Sequence, residues 1–581
     1  MKILSLQPVN AALIFMTSRK LLNYIAALAA FGAVASAAMI LYYILRYGVD
    51  VPYMDQWEFV GFFDHLAQGQ LTFEELFRQG NEYRQFFPNL IFVSLGWLTH
   101  WNVRYEMLVI FLLACLTAFN VYRLSRFTLP SQPWLRWLLM LLACLFIFSP
   151  MQWENWLFGV QIEYMIPAAC ISTGLVISFA NIKAQWKLLW CLLLAVVSTY
   201  SCINGFLIWV VLYPALFFSG RKNEFFRDWL VALVWFTAMC VALFFYFNGY
   251  QKPGNEPGMN EALMHPADGL LYLMGTLGNT LRVVHILQVI MLVGGLLLLI
   301  FVAEILYVLW HARDKALLRD AVVWIVPGLY SLMTAGMLMV GRLGYGAYQS
   351  LASRYTSYTL YVAVAAIFLA AIILRHRARG RRLPWWQQAM AGLMIAFVIF
   401  TKMNTYPVAV AELKAYHARM QHGKAALLFI NYISHQDCEN QLYPRDFDEL
   451  RRKANILDSY HLLRPALLKS NILQYIEGEG SGKDYYGNFD VMADMQNHVF
   501  LATGSARLPR TGGPADAVLL SFDDAQGRAV LLALSNDDKQ RWVKMVWVGQ
   551  LPSGPLLIRA WAFDADEGKA YRLKGSHRVR L

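Results

Sequence analysis

The sequence predicts a polytopic α-helical membrane protein that ends in an extracytoplasmic α+β region. The chain of 581 residues is 58% hydrophobic and only 15% charged, whereas soluble proteins carry nearer a quarter charged residues. Apolar runs of about 20 residues, the length that crosses a hydrocarbon core, recur from residue 21 to residue 403. After Tyr406 these runs stop, and from about residue 488 short alternating segments replace them. A net charge of +12 and a pI near 9.2 would suit a nucleic-acid partner. The distribution argues for a lipid bilayer and against nucleic acid, because most Lys and Arg of the membrane half lie in short loops on one side.

Lys2, Arg19 and Lys20 place the N-terminus in the cytoplasm. No small-residue cleavage site follows the apolar run Leu21 to Leu45, so it reads as a retained first span. Residues 46 to about 88 form an outer loop. Within it Phe59, Phe62, Phe63 and Leu66 repeat at i, i+3, i+4 and i+7, one face of a helix suited to the membrane surface. Thr72 followed by Glu75 has the pattern of a capping box and starts a second short helix. Asn89 to Leu98 is apolar but too short to span.

A span at about 104–122 leads to Arg123, Arg126 and Arg136 inside. The chain goes out by about 149 and returns by about 180, to Lys183 and Lys187. Two short spans meet at Ser201 to Gly205 and end at Arg221 and Lys222; the next covers 229–247. The loop 248–268, rich in Pro, Gly and Asn, reads as irregular, and 269–284 as another surface helix. Spans near 286–310, 321–340, 355–374 and 385–403 bring the total to roughly eleven by length and loop charge. Their inner turns carry His311, Arg313, Lys315 and Arg319, then Arg375, Arg377, Arg379, Arg381 and Arg382. The odd count sends the C-terminus outside.

The domain organisation is thus a membrane domain at 1–405 with outer-loop surface helices at 56–86, a helical segment at 406–487, and a β-rich domain at 488–581. Ala517 to Phe522 and Trp542 to Trp547 are segments of the strand-rich region, bounded by turn signals at Asp524 to Gly527 and Pro552 to Gly554, which predicts a small β-sandwich. Of the seven cysteines, Cys115, Cys144, Cys170, Cys191 and Cys240 sit in apolar runs as small core residues. Cys202 and Cys438 fall outside, which leaves a disulfide between them open. No CxxC or zinc spacing occurs.

The outer turns carry the chemistry. Asp50, Asp55, Glu58 and Asp64 crowd the first outer loop. Asp55 heads the surface helix, where a carboxylate suits a cap and equally a general base or metal ligand aimed along the membrane. Farther on, Asn81-Glu82-Tyr83-Arg84 precedes Asn89 to Leu98, which reads as a partly embedded segment on the outer side, and there Arg84 suits a lipid phosphate or an interfacial anchor. Trp153-Glu154-Asn155-Trp156 and Glu163 flank a span entrance, and a carboxylate such as Glu163 inside an apolar run tends to face a cavity. The turn at Asn204 is small and polar. Ser353-Arg354-Tyr355, with Arg342 upstream, supplies cations able to stabilise a departing phosphate.

Pro52-Tyr53-Met54-Asp55-Gln56-Trp57, Asn81-Glu82-Tyr83-Arg84, Glu154-Asn155-Trp156 and Ser353-Arg354-Tyr355 resemble segments of bacterial membrane proteins related to the GT-C superfamily of polyprenyl-phosphate-dependent glycosyltransferases. The likeness covers about 1–405 and not the tail. It implies a GT-C-like fold in a bacterial inner membrane and inverting transfer of a sugar from a polyprenyl-phosphate donor to a periplasmic glycan, lipid or protein. It also implies Asp55 as base or metal-site residue and Arg354 as the phosphate-holding cation. Two departures stand out: Asp55 and Glu58 are separated by two residues where many members have adjacent acids, and Gly80 stands where the related group often has His.

On this reading Asp55 and Glu58 are catalytic, and Arg354, Arg84 and Arg342 bind the donor phosphate. Glu82, Glu154, Asn155, Glu163, Asn204 and Tyr355 contact substrate, and a divalent cation, Mg²⁺ or Mn²⁺, is the cofactor the pattern allows. The rival expectations are a transporter or flippase of a lipid-linked or polar solute, with Glu163 and Glu304 as intramembrane charges, and a non-catalytic assembly partner.

Overall fold

The computed structural model describes residues 7–218, 225–252, 254, 258, 261–282, 286–378, 384–433, 442–443, 445–482, 486–535, 537–538, 541–549, 551 and 554–580. Lys2, Arg221, Lys222, Arg379, Arg381, Arg382, Cys438, Pro552 and Ser553 lie outside the described residues, and so does the Cys202–Cys438 pairing. The chain forms two compact units. The first comprises Met1–Arg46, Thr72–Ile91 and Glu106–Leu413; the second comprises Tyr47–Leu71, Phe92–Tyr105 and Lys414–Leu581.

Among the described residues, nine helices are long and apolar enough to cross a membrane: Lys20–Tyr47, Arg104–Thr128, Pro133–Leu157, Gly159–Phe179, Trp229–Phe247, Leu287–Trp310, Lys315–Tyr345, Ser353–Ala378 and Trp385–Leu428. The expected eleven differ from these nine by the two short spans, which form the apolar helices Ala184–Thr199 and Ile203–Leu216. The first of these has 16 residues, about 24 Å of helix against a core of about 30 Å. The last long helix does not stop at residue 403. It continues through Pro407 to Leu428, 44 residues in all.

Local sequence explains the helix starts and crossings of the first unit. Thr72 caps Phe73–Phe77, its hydroxyl accepting from the Glu75 N–H at 3.2 Å. Pro133 and Pro266 open their helices, where the missing N–H costs nothing. Asp314 caps Lys315–Arg342 by accepting from Ala316 N–H and Leu317 N–H. The Pro266–Gly278 and Leu287–Trp310 helices meet backbone to backbone: a Cβ on Gly294 would sit 1.8 Å from the Met274 carbonyl oxygen, and one on Gly278 1.9 Å from that of Ile290. Only glycine permits this approach, the small-residue crossing common between membrane helices. Buried amides join other helices, as where Asn120 Nδ2 donates to Ser172 Oγ at 3.1 Å and Thr173 Oγ1 at 2.9 Å.

In the second unit the Val60–Ala67 helix presents the predicted aromatic face. Phe59 stacks on Phe92 and Phe63 tilts against Trp101; both phenylalanines are buried. A Cβ on Gly96 would lie 2.3 Å from the Phe63 ring, so this glycine makes the seat for it.

The C-terminal strands are β3 (Phe489–Asp494), β4 (Val499–Ser505), β5 (Ala517–Asp523), β6 (Ala529–Ser535), β7 (Asp537–Asp538), β8 (Arg541–Trp547), β9 (Pro555–Asp564), β10 (Lys569–Arg572) and β11 (His577–Arg580), after a two-stranded ribbon of β1 (Gln79–Gly80) and β2 (Tyr83–Arg84) in the first unit. Val499–Ser505 and Arg541–Trp547 alternate between buried and open positions, whereas Ala517–Asp523 is buried at each of its first five positions, as a strand covered on both faces. One antiparallel sheet has the order β10-β9-β5-β6 with β11 also on β9, and the other β3-β4-β8-β7. Their buried faces share one core, in which Phe489, Phe500 and Trp542 join Val518, Leu520 and Ile558. The β5–β6 hairpin turns at Asp524 to Gly527, where Gly527 takes φ +74° and Asp524 accepts from the Gln526 and Arg528 N–H groups.

Candidate functional site

Three polar turns singled out in the sequence come together in the first unit. The turn Ser353–Tyr355 binds the turn at Glu154 through both backbone and side chains. Arg354 N–H donates to Glu154 Oε2 at 3.0 Å, and the Arg354 guanidinium lies 3.4 Å from Glu154 Oε1. Glu154 N–H donates to Ser353 Oγ at 3.2 Å, Ser353 Oγ donates to the Met151 carbonyl at 2.9 Å, and Asn155 Nδ2 donates to the Arg354 carbonyl at 3.1 Å. Five polar contacts over a separation of about 200 residues fix where the Arg354 guanidinium is held.

The third turn, Ile203–Leu207, is tight for a stated reason. A Cβ on Gly205 would fall 1.8 Å from the Ser198 carbonyl oxygen, and Ser198 Oγ donates to the Gly205 carbonyl at 2.8 Å. The turn buries Asn204, whose Nδ2 donates to Tyr330 Oη at 2.9 Å and to Thr334 Oγ1 at 3.3 Å. Asn204 Oδ1 has no hydrogen-bond partner among the described residues.

The β1–β2 ribbon positions the remaining groups. Glu82 pairs with Arg342, and Tyr83 Oη donates to Glu163. Burial and the nearby Glu163 carboxylate push the Tyr83 phenol well above its ordinary range, so it stays a donor. Arg84 spends its guanidinium on backbone carbonyls: Tyr246 at 2.8 Å, Phe77 at 3.0 Å and Asn248 at 2.6 Å. Here Arg84 fixes the ribbon to the end of the Phe225–Phe247 helix.

Glu82, Asn204, Arg342, Arg354 and Tyr355 line a single cavity of ≈ 660 Å³. Its polar groups include three cations, Lys252, Arg342 and Arg354, one carboxylate, Glu82, and a set of phenols that includes Tyr83, Tyr164 and Tyr358. Its wall is apolar, built from Met333, Met337, Leu338 and Met339 of the Lys315–Arg342 helix and Phe206 and Leu207 of the Ile203–Leu207 turn. This is chemistry for a molecule with a long apolar part and an anionic head. Sequence reasoning missed Lys252, which lies in the loop read as irregular. It also missed Tyr164 and Tyr358, which follow Glu163 and Ser353-Arg354-Tyr355 by one and three positions.

Asp55 and Glu58 belong to the second unit. Glu58 has three partners there: Tyr443 Oη at 2.9 Å, Arg445 at 3.0 Å and Lys453 at 3.3 Å. Lys453 also meets Glu449 at 2.8 Å. Burial works against the Lys453 charge, but its bonds to Glu449 and Tyr443 and the Glu58 charge hold its pKa above the ordinary value. Asp55 lies 3.8 Å from Arg445 and is 53% exposed, so of the two it is the carboxylate with more access to solvent. Among the described residues, no group of three or more His, Cys, Asp and Glu side chains stands together as a metal-ligand set. Comparison of the chain with protein-family models, with curated proteins and with solved structures finds no match.

Proposed function

We propose that this multi-pass membrane protein is a glycosyltransferase of the GT-C type, which moves a sugar from a polyprenyl-phosphate donor to a hydroxyl acceptor on the periplasmic side of a bacterial inner membrane. The observation that carries this reading is the cavity of ≈ 660 Å³ that combines an apolar wall with Arg342, Arg354 and Lys252. An isoprenoid chain suits the wall, and the phosphate suits the cations. Arg354 stabilises the phosphate as it leaves, because a fixed cation favours the developing anion over the bound ester. Glu82, Asn204 and Tyr355 contact the sugar. The base is Asp55, an assignment resting on the sequence resemblance: it takes the acceptor hydroxyl proton as that oxygen bonds to the anomeric carbon and the carbon–phosphate oxygen bond breaks, with inversion.

The test compares binding of polyprenyl phosphate and neutral polyprenol to the protein in nanodiscs. One charge-assisted bond contributes roughly 1.5–3 kcal/mol, so Arg354→Gln should weaken phosphate binding by about 10- to 100-fold and leave polyprenol binding unchanged. Equal binding of the two lipids by wild type would sink the reading. Transport is the second reading, favoured by Glu304 and Lys402, which are buried within apolar helices at 8% and 4% exposure. Its signature is movement of the lipid-linked sugar between leaflets without any transfer product.

A further inference from the structure

Arg354 lines a second cavity, of ≈ 320 Å³, whose chemistry differs from the first. Glu154, Arg282, Gln349, Glu412 and Trp153 contribute the other functional groups. Two guanidinium groups face two carboxylates, so the formal charges cancel. Burial works against the Arg282 charge and the Glu412 carboxylate supports it, which places these two within electrostatic reach of one another. Gln349 adds an amide, and its Nε2 donates to Tyr355 Oη at 3.2 Å, linking this cavity to a residue that lines the first. Ser353 and the backbone at Arg354 are committed to the Glu154 turn, which holds Arg354 at the edge of both cavities.

The contrast decides the ligand class. An anion would gain from Arg282 and Arg354 but meet Glu154 and Glu412. A neutral polyhydroxylated ligand can donate hydroxyls to both carboxylates, accept from both guanidinium groups and the amide, and lay the apolar face of a sugar ring on the Trp153 indole. A volume of ≈ 320 Å³ lies at the small end of ligand pockets, about 300–1,000 Å³. We propose that this cavity binds the acceptor of the transfer reaction, a neutral carbohydrate, with Arg354 standing between acceptor and donor phosphate. The proposal rests on the donor reading of the larger cavity.

Its test uses the full-length protein in nanodiscs and saturation-transfer NMR, with methyl glucosides, galactosides, mannosides and arabinosides as probes and polyprenyl-phosphate binding measured in parallel. At least one glycoside should bind. Glu412→Gln and Gln349→Ala, both at positions with solvent access, should each weaken it by 10-fold or more and change polyprenyl-phosphate binding by less than 2-fold. Three results would overturn the proposal: no glycoside binding by protein that still binds polyprenyl phosphate, glycoside binding indifferent to both substitutions, or displacement of the glycoside by inorganic phosphate. Glycoside binding that persists in protein unable to bind polyprenyl phosphate would overturn the donor reading and, with it, the shared role of Arg354.

Discussion

Replacing Lys453 with Met tests how the second unit holds its acidic loop. The side chain is 7% exposed, and its ammonium meets Glu449 at 2.8 Å and Glu58 at 3.3 Å, with Tyr443 Oη 3.2 Å away. Removing one member of a buried ion pair costs about 3–5 kcal/mol, because the partner charge stays behind. Here the partners are Glu58 at 44% and Glu449 at 35% exposure, and water reaches both, which lowers the expected cost to about 2–4 kcal/mol. For a unit of roughly 200 residues, 1 kcal/mol moves Tm by about 2–4 °C, so Lys453→Met should lower it by about 4–16 °C. The sign of the pH dependence follows from the carboxylate. Hydrogen bonding by Lys453 lowers the Glu449 pKa below its ordinary value, so wild type gains stability above the unfolded carboxylate pKa and loses it as pH falls through the folded value. The variant lacks that gain, and its deficit should be largest above pH ~5 and shrink toward pH ~4, as Glu449 begins to protonate. Thermal unfolding of the full chain in detergent at both pH values is the assay. A shift under about 2 °C, or a deficit that grows in acid, would refute the reasoning.

Two other predictions follow from packing and burial. Gly294→Ala should destabilise the Pro266–Gly278 and Leu287–Trp310 pair by about 2–3 kcal/mol, because its Cβ meets the Met274 carbonyl at 1.8 Å; Gly336→Ala, with nothing within 4 Å, should be neutral or slightly stabilising in the same thermal assay. Asp516 is pushed up to about 7 by burial, a raised carboxylate, so it costs stability progressively as pH rises from about 4 to 7. Asp516→Asn should therefore flatten the fall of Tm between pH 4.5 and 7.5, and an unchanged slope would show that this group does not titrate in that window.

Much of the fold was legible because it is written in local composition. Apolar runs marked the nine long helices among the described residues, and Thr72 with Glu75 marked a helix start that the hydroxyl does cap. Alternation marked Arg541–Trp547, while Ala517–Asp523 is a continuous apolar run buried on both faces, which alternation does not describe. The helix to Leu428 was only half visible, since its composition turns polar at Tyr406 while its backbone bonding continues. For the site, the sequence separated polar outer turns from basic inner ones. Glu154 and Ser353-Arg354-Tyr355 were both singled out, but nothing in their spacing tells that they bond to each other across about 200 residues. The same limit hid the partners of Arg84, which are carbonyls of Phe77, Tyr246 and Asn248. It hid too the grouping of Tyr47–Leu71 with Lys414–Leu581. Periodicity reports which face of an element is apolar, not which distant segment covers it.

The most direct measurement is sugar transfer by the protein in nanodiscs, using radiolabelled polyprenyl-phosphate sugars and periplasmic glycan or lipid acceptors, with wild type, Asp55→Asn and Arg354→Gln run side by side. A labelled product is expected from at least one donor, with its loss in Asp55→Asn while folding and donor binding stay intact, and a fall of about 10-fold or more in Arg354→Gln. Full activity in Asp55→Asn, or no product from any donor that wild type demonstrably binds, would contradict the proposed transfer.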